Sequence, residues 1–196
     1  MPIINKPIEL SELALEIIEQ KSKSAMFSHA DWGCEELKVV RKEIREYYRE
    51  IQRLRCVYCQ NQVSARSAQG AFIEHIIPKS QNPHFMFEPK NLCVVCADCN
   101  EYKGGKSVDF ERITTSRNKR KYPESSTDYR IVHPHFDEYE DHILKANRIY
   151  VDRSEKGGYT IYICGLNRFF RRFGRCDEYV NDIKLVEESE RLHGGY

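Results

Sequence analysis

Apolar residues in the first third of the chain recur with a helical period. Leu37, Val40, Ile44, Tyr47, Ile51 and Leu54 step by 3, 4, 3, 4 and 3, with charged residues between them. That spacing puts them on one face of an amphipathic helix. Ahead of it, residues 11–21 predict a shorter helix with Ser11 as cap and Leu13, Ile17 and Ile18 on one side. The polar stretch between the two holds the only tryptophan, Trp32. Past residue 55 the pattern changes. Residues 56–110 are dense in Cys, Gly, Pro, Asn and His, with only short apolar pieces, and predict a compact, loop-rich unit with limited core of its own. Residues 111–128 read as a polar linker or loop. "YRIVH" (129–133) is strand-like, "NRIYVD" and "GGYTIYIC" predict a β-hairpin joined at "RSEKG", and 177–192 predict a closing acidic helix. The chain therefore divides into a helical segment (1–55), a core (56–110) and an α+β extension packed on that core (111–196).

Composition narrows the class. A chain of 196 residues, 40% apolar and with 12 Tyr and 9 Phe, suits a packed globule of one domain or a small core with extensions. With 31 basic and 30 acidic residues the net charge is +1. This excludes a protein whose whole surface attracts nucleic acid, so any DNA or RNA contact must come from local patches. The opening "MPIINKPIELSELALEIIEQ" lacks the basic start and apolar stretch of a signal peptide. No apolar run approaches the ~18 residues of a membrane span. The expectation is a soluble, cytoplasmic protein with no membrane partner. In a reducing compartment its eight cysteines are metal ligands or buried thiols rather than disulfides.

The cysteines carry the first chemical signal. "CVYCQN" (56–61) lies at the end of the long helical run, and a second CxxC lies within "NLCVVCADCNEYKGGK" (91–106). There, Cys93 with Cys96 and Cys96 with Cys99 both have the spacing. Ala-Asp permits a tight turn whereas Val-Val prefers an extended strand, which favours Cys96 with Cys99. Cys56, Cys59, Cys96 and Cys99 then suit a closed tetrahedral Zn²⁺ site with Zn–S near ~2.3 Å. Such an ion would clip together a segment too poor in apolar mass to fold unaided. A redox CxxC would leave the second pair unexplained, and buried or accidental thiols are the plain alternative. Cys34, Cys93, Cys164 and Cys176 read as small core residues. Between the pairs sits "FIEHIIPKS" (72–80). Alternation puts Glu74 and His75 on opposite faces of a regular strand, so they can share a task only if the chain twists or turns. The oxygens of Glu74 and Asn100 suit a hard divalent ion, and a neutral imidazole near it could take a proton from water.

Together, the CxxC at 56–59, "EHIIP" at 74–78, "NL" at 91–92 and "CADCNEYKG" at 96–104 resemble the HNH endonuclease family. The likeness is closer to its four-cysteine zinc-bearing branch, which includes phage junction-resolving endonucleases, and it covers residues 56–106. It implies an α+β fold with a ββα-metal core, a two-stranded ribbon packed on a helix around one catalytic Mg²⁺ or Mn²⁺ ion. It implies that His75 is the general base. Glu74 stands where the family usually has an aspartate ligand, and Asn100 stands where many members have a final histidine ligand. Asn91 would tie the loop between ribbon and helix, which completes a catalytic set of Glu74, His75, Asn91 and Asn100. Lys103 would contact phosphate. The Glu-for-Asp exchange adds one methylene, and "KSQNPHFMFEPK" lacks the Gly-Gly often found after the motif's proline. The implied reaction is hydrolysis of DNA phosphodiesters to 5′-phosphate and 3′-hydroxyl ends. More loosely, the arrangement is similar to stand-alone HNH proteins of bacterial anti-phage systems such as the Septu type, which pair an HNH subunit with an ATPase. That implies a role in defence or restriction and an ATPase partner.

Further basic residues are candidates for nucleic-acid contact. Lys106 follows Lys103, and Arg112, Arg117, Lys119, Arg120 and Lys121 form one cluster. Arg168, Arg171, Arg172 and Arg175 form another, interleaved with Phe169, Phe170 and Phe173. Cations with aromatics suit backbone contact and base stacking, although phenylalanines at this spacing also suit a core-facing helix. "HPHFDEYEDHI" brings His133, His135, Asp137, Asp141 and His142 close in sequence; a turn with hydrogen-bonded histidines is favoured over a second metal site. Two other function classes compete with the DNA nuclease. One is a non-catalytic zinc module that binds nucleic acid or protein, for which the trio Glu74, His75 and Asn100 would have no use. The other is a toxin-like nuclease acting on RNA.

Overall fold

A computed structural model describes residues 3–108, 121–173 and 177–193. Ser11 caps the first helix, α1 (Glu12–Ser22), by accepting a hydrogen bond from the Ala14 N–H, and its hydroxyl donates to Glu43. The side expected to be buried is only partly so. Ala14 is the buried residue, whereas Leu13 is exposed. Helix α2 (Lys38–Ile51) is the long amphipathic one. Its buried row is Leu37, Val40, Ile44 and Tyr48, so Tyr48 takes the place expected of Tyr47. At 3.6 residues per turn a step of four after Ile44 keeps the row facing inward. The Tyr48 hydroxyl also anchors the row, donating to the Pro89 carbonyl at 2.7 Å.

Helix α2 ends where Arg53 and Leu54 turn left-handed, at φ 51° and 57°. The Leu54 N–H reaches back to the Arg49 carbonyl at 2.8 Å. Each such non-glycine residue costs about 1–2 kcal/mol, and the reversal delivers the chain to Cys56. Strands β1 (Phe72–His75) and β2 (Leu92–Val95) pair antiparallel, with Glu74 opposite Cys93 and His75 opposite Leu92. A two-stranded ribbon leaves free edges. The outer edge of β2 is closed by the Gln52 side chain, which donates to the Val94 carbonyl at 2.8 Å and accepts the Val94 N–H at 2.7 Å. Cys96 then caps the short helix α3 (Ala97–Lys103). The order is thus an antiparallel ribbon followed by a helix, within a mixed α+β chain.

The C-terminal part departs from expectation in two places. The hairpin is β3 (Ile143–Ala146) with β4 (Ile149–Asp152), joined at Asn147-Arg148 with Asn147 at φ 51°. It follows the short helix α4 (Tyr139–His142). "GGYTIYI" belongs to a helix, α5 (Glu155–Ile163), rather than to the expected second strand. Ser154 caps it by accepting the Gly157 N–H, so "SEKG" is a helix start and not a hairpin turn. "YRIVH" is not a strand either. Its backbone is bonded outward, from Arg130 N–H to the Val108 carbonyl and from Val132 N–H to Thr160 Oγ1, both at 2.8 Å. Helices α6 (Arg168–Phe173) and α7 (Asp177–His193) follow, and Asp182 of α7 accepts from Asn147 and Arg148 at the hairpin turn. One buried cluster draws on all parts of the chain, including Ile4, Leu37 and Tyr48, Leu92 and Val94, and Ile131 and Ile163. No described helix is long and apolar enough to cross a membrane.

Gly157 sits where α5 crosses the end of α4. A Cβ there would lie 1.8 Å from the His142 carbonyl oxygen. Gly157→Ala should therefore destabilise the protein by about 1–3 kcal/mol despite the better helix propensity of alanine. Denaturant unfolding should show a lower midpoint; an unchanged one would refute this packing.

Candidate metal centre and active site

The left-handed turn after α2 brings the Cys56–Cys59 segment against the N-terminus of α3. The Sγ atoms of Cys56, Cys59, Cys96 and Cys99 all lie within 4.8 Å of one another, and Cys59 and Cys96 are 3.7 Å apart. A tetrahedral ion with ~2.3 Å bonds needs sulfur–sulfur edges of about 3.8 Å, so the four thiols fit zinc. Local donors suit thiolates too. The Cys99 N–H points at Cys96 Sγ (3.5 Å), and the Arg168 guanidinium lies 3.8 Å from Cys99 Sγ while pairing with Asp98 at 3.0 Å. Burial pushes the Cys56 thiol well up, so four ionised sulfurs here call for a cation to offset them. Cys93, the alternative partner of Cys96, is buried on β2 and is not in the cluster.

A cavity of 210 Å³ opens at the end of β1 and is lined by Glu74, His75, Lys79 and Asn100 among others. Alternation does not keep Glu74 and His75 apart, because His75 is the last strand residue and the chain bends there. His75 Nε2 lies 3.1 Å from the Met86 carbonyl. A carbonyl can only accept, so Nε2 carries the hydrogen and Nδ1 is the basic nitrogen. The Trp32 ring packs edge-on against the imidazole, centroids 4.5 Å apart. Burial, reinforced by the nearby Lys79 charge, lowers the His75 pKa to about 3, so the ring is neutral at ordinary pH. Glu74 is 5% exposed. Burial pushes its carboxyl up while the Lys103 ammonium works the other way. Its Oε1 is ion-paired with Lys103 and has no other polar partner among the described residues. The Glu74 carboxylate and the Asn100 amide are thus hard oxygen donors beside one cavity, the donor type that Mg²⁺ or Mn²⁺ takes.

Asn91 is fully buried and ties the loop between the strands to itself. Its Oδ1 accepts from the Ile77 N–H at 2.7 Å, and its Nδ2 donates to the carbonyls of Ile77 (3.1 Å) and Phe85 (2.9 Å). Tyr122 donates to the same Oδ1 at 3.2 Å and lies 3.0 Å from His133 Nε2. His135 Nε2 donates to the Leu92 carbonyl at 2.9 Å. His133 and His135 thus brace the loop that carries Asn91. Among the described residues, the four cysteines are the only group of metal-ligating side chains clustered this closely.

No family model matches the chain. Over 143 residues, 73% of this chain, it is 25% identical to the Septu protein PtuB of Bacillus thuringiensis. The chain spans about half (48%) of that relative's length.

The basic residues separate. Lys103, expected to contact phosphate, is instead fully buried, and its Nζ donates to the His75 carbonyl at 3.1 Å besides pairing with Glu74. It is an internal strut between α3 and β1, and Lys79 is the lysine that lines the cavity. Arg168 is likewise turned inward, with its side chain 8% exposed. Lys106, Lys121, Arg171 and Arg172 are exposed, and Phe169 and Phe173 are exposed rather than core-facing. Arg112, Arg117, Lys119, Arg120 and Arg175 lie outside the described residues. Lys79, Trp32 and Tyr122 were not foreseen as parts of the site. Only Lys79 carried a signal, as the cation that directly follows "EHIIP".

Two outcomes follow from this geometry. Purified protein should hold about one Zn²⁺ per chain bound by four thiolates. Cys59→Ser should lose it in a chelator-competition assay, whereas Cys93→Ala should retain it; the reverse pattern would place the site elsewhere. The second outcome concerns acid. Folding lowers the His75 pKa to about 3 and the His135 pKa to about 4, and burial holds His133 well down. The unfolded chain protonates these rings near ~6.5. Stability is then full above that pH and is lost as pH falls toward 4. Thermal unfolding at pH 7.5 and 5, with zinc content checked, should show the drop, and His135→Gln should lessen it.

Proposed function

We propose that this chain is a metal-dependent HNH endonuclease that hydrolyses phosphodiester bonds in DNA. The observation that carries the reading is one cavity lined by Glu74, His75 and Asn100, beside a ribbon and helix clipped by the four-cysteine cluster. Glu74 and Asn100 would hold one Mg²⁺ or Mn²⁺. When bound, that ion supplies Lewis-acid stabilisation of the charge developing on the phosphate and on the leaving 3′ oxygen. His75 takes the proton of the attacking water on Nδ1, and its Nε2–H···O bond to Met86 fixes the ring for that role. Asn91 acts as a positioning residue, because it holds the loop that carries Met86. Lys103 keeps the Glu74 carboxylate paired and braces the His75 backbone.

The likeness to a Septu protein supports an anti-phage setting with a partner subunit, which the looser resemblance to stand-alone HNH proteins would make an ATPase. DNA is the substrate favoured by the family resemblance. Plasmid, linear duplex, single-stranded DNA and RNA incubated with the zinc-loaded protein in Mg²⁺ or Mn²⁺ test the reading. Cleavage of DNA with 5′-phosphate ends is expected, and His75→Ala should lower the rate by about 10²–10⁴-fold with zinc content unchanged. Cutting that survives His75→Ala would remove the proposed base. Cutting of RNA alone would move the substrate class.

A further inference from the structure

Two adjoining cavities lie on the zinc-knuckle side of the molecule, where α2 gives way to the first CxxC. One, of 740 Å³, is lined by Glu50, Arg53, Arg55 and Gln60 among others. Its neighbour, of 500 Å³, shares Arg53, Arg55 and Gln60 and adds Asn61, Gln62 and Lys145. The smaller cavity is thus walled by three cations and three side-chain amides together with Leu54, while the larger adds the amides of Asn5 and Gln52 and the apolar Ile3 and Ile51. Arg53 and Arg55 are exposed. Lys145 is held in place by an Asn61 Oδ1 contact at 2.7 Å. Among the described residues none of the three cations has a carboxylate within salt-bridge distance, although twelve other pairs are that close. Glu50, at the edge of the larger cavity, is the one acid lining either. Burial lowers the Lys145 pKa; the nearby Cys59 and Cys56 thiols oppose that shift and the Arg55 charge adds to it. The backbone contributes as well: Arg53 and Leu54 are both left-handed, and Gln60 is at φ 56°. These unusual turns set Arg53, Arg55 and Gln60 around the same grooves.

We infer that Arg53, Arg55 and Lys145, with Gln60, Asn61 and Gln62, form a binding groove for the phosphate backbone of nucleic acid, separate from the cavity of His75. Guanidinium and ammonium groups without a carboxylate partner among the described residues are suited to anionic oxygens, and amides can bond phosphate or sugar without reading sequence. The near-zero net charge means that backbone contact must be local, and this groove supplies it. The assignment rests on the nuclease reading for its choice of nucleic acid over an acidic protein. The zinc cluster is also negative, since four thiolates outweigh one Zn²⁺, and zinc retention in the variants below separates counter-charges of the cluster from phosphate contacts.

The test uses the full zinc-loaded chain with His75→Ala as background and Ca²⁺ as the divalent ion. Binding of a fluorescent DNA duplex is followed by anisotropy across a salt series. Each phosphate neutralised contributes a slope of about 0.9 in log affinity against log salt. The triple variant Arg53→Gln, Arg55→Gln, Lys145→Gln should lose about three such units and bind at least tenfold more weakly at low salt. Arg53→Gln and Arg55→Gln alone, both at exposed positions, should each lose about one. An unchanged slope overturns the groove and leaves the nuclease reading intact. A variant that sheds zinc assigns the cations to the cluster and also overturns it. A slope that falls as expected, where the chain with His75 intact never cleaves DNA in Mg²⁺ or Mn²⁺, sustains the groove while the nuclease reading fails.

Discussion

The molecule depends on holding one tight turn, Cys56 to Cys59, against the start of α3. Neither piece could stay there alone. The turn follows a helix end that needs two left-handed residues, and α3 is only seven residues long, below the length at which helices persist unaided. Four mutually close thiols join them. The C-terminal part then closes over the join. Tyr139 donates to the Tyr58 carbonyl at 2.8 Å and Tyr150 to the Cys59 carbonyl at 2.6 Å. Carbonyls that a metal knuckle would leave unpaired are thus satisfied from 81 and 91 residues away. The extension is part of the metal centre's construction.

Electrostatics in the cavity follow from burial. A buried imidazole stays neutral and a buried carboxylate needs a cation. Lys103 provides it from within α3, and the same ammonium binds the backbone of the adjacent residue, His75. One side chain therefore fixes both neighbours of the cavity relative to the helix that carries Asn100. The ring of Trp32, from the N-terminal segment, completes the burial of the His75 imidazole.

Much of this was legible in the chain, for physical reasons that differ by region. The α2 stripe was readable because a 3.6-residue period is strong over four turns. The choice of Cys96 with Cys99 over Cys93 was readable because Val-Val belongs in a strand, and Cys93 does lie on β2. What failed was decided by tertiary contact. "YTIYI" has the composition of a strand, but Ser154 caps a helix there and Gly157 lets it lie against His142. Lys103 looked like a surface cation because its spacing after Asn100 says nothing about which way the helix faces. Arg168 was read with its exposed neighbours, yet its partners, Asp98 and Cys99, are about seventy residues away in the chain.

The bracing of Asn91 also sets an order of events during synthesis. Its partner Tyr122 is 31 residues downstream, and His135, which holds the Leu92 carbonyl, is 43 residues beyond that strand residue. The motif-bearing segment therefore leaves the ribosome well before the groups that secure it. A nascent chain that has translated its fourth knuckle cysteine still lacks both supports. The loop that carries Asn91 is therefore secured only after the tyrosine and the histidine have been made.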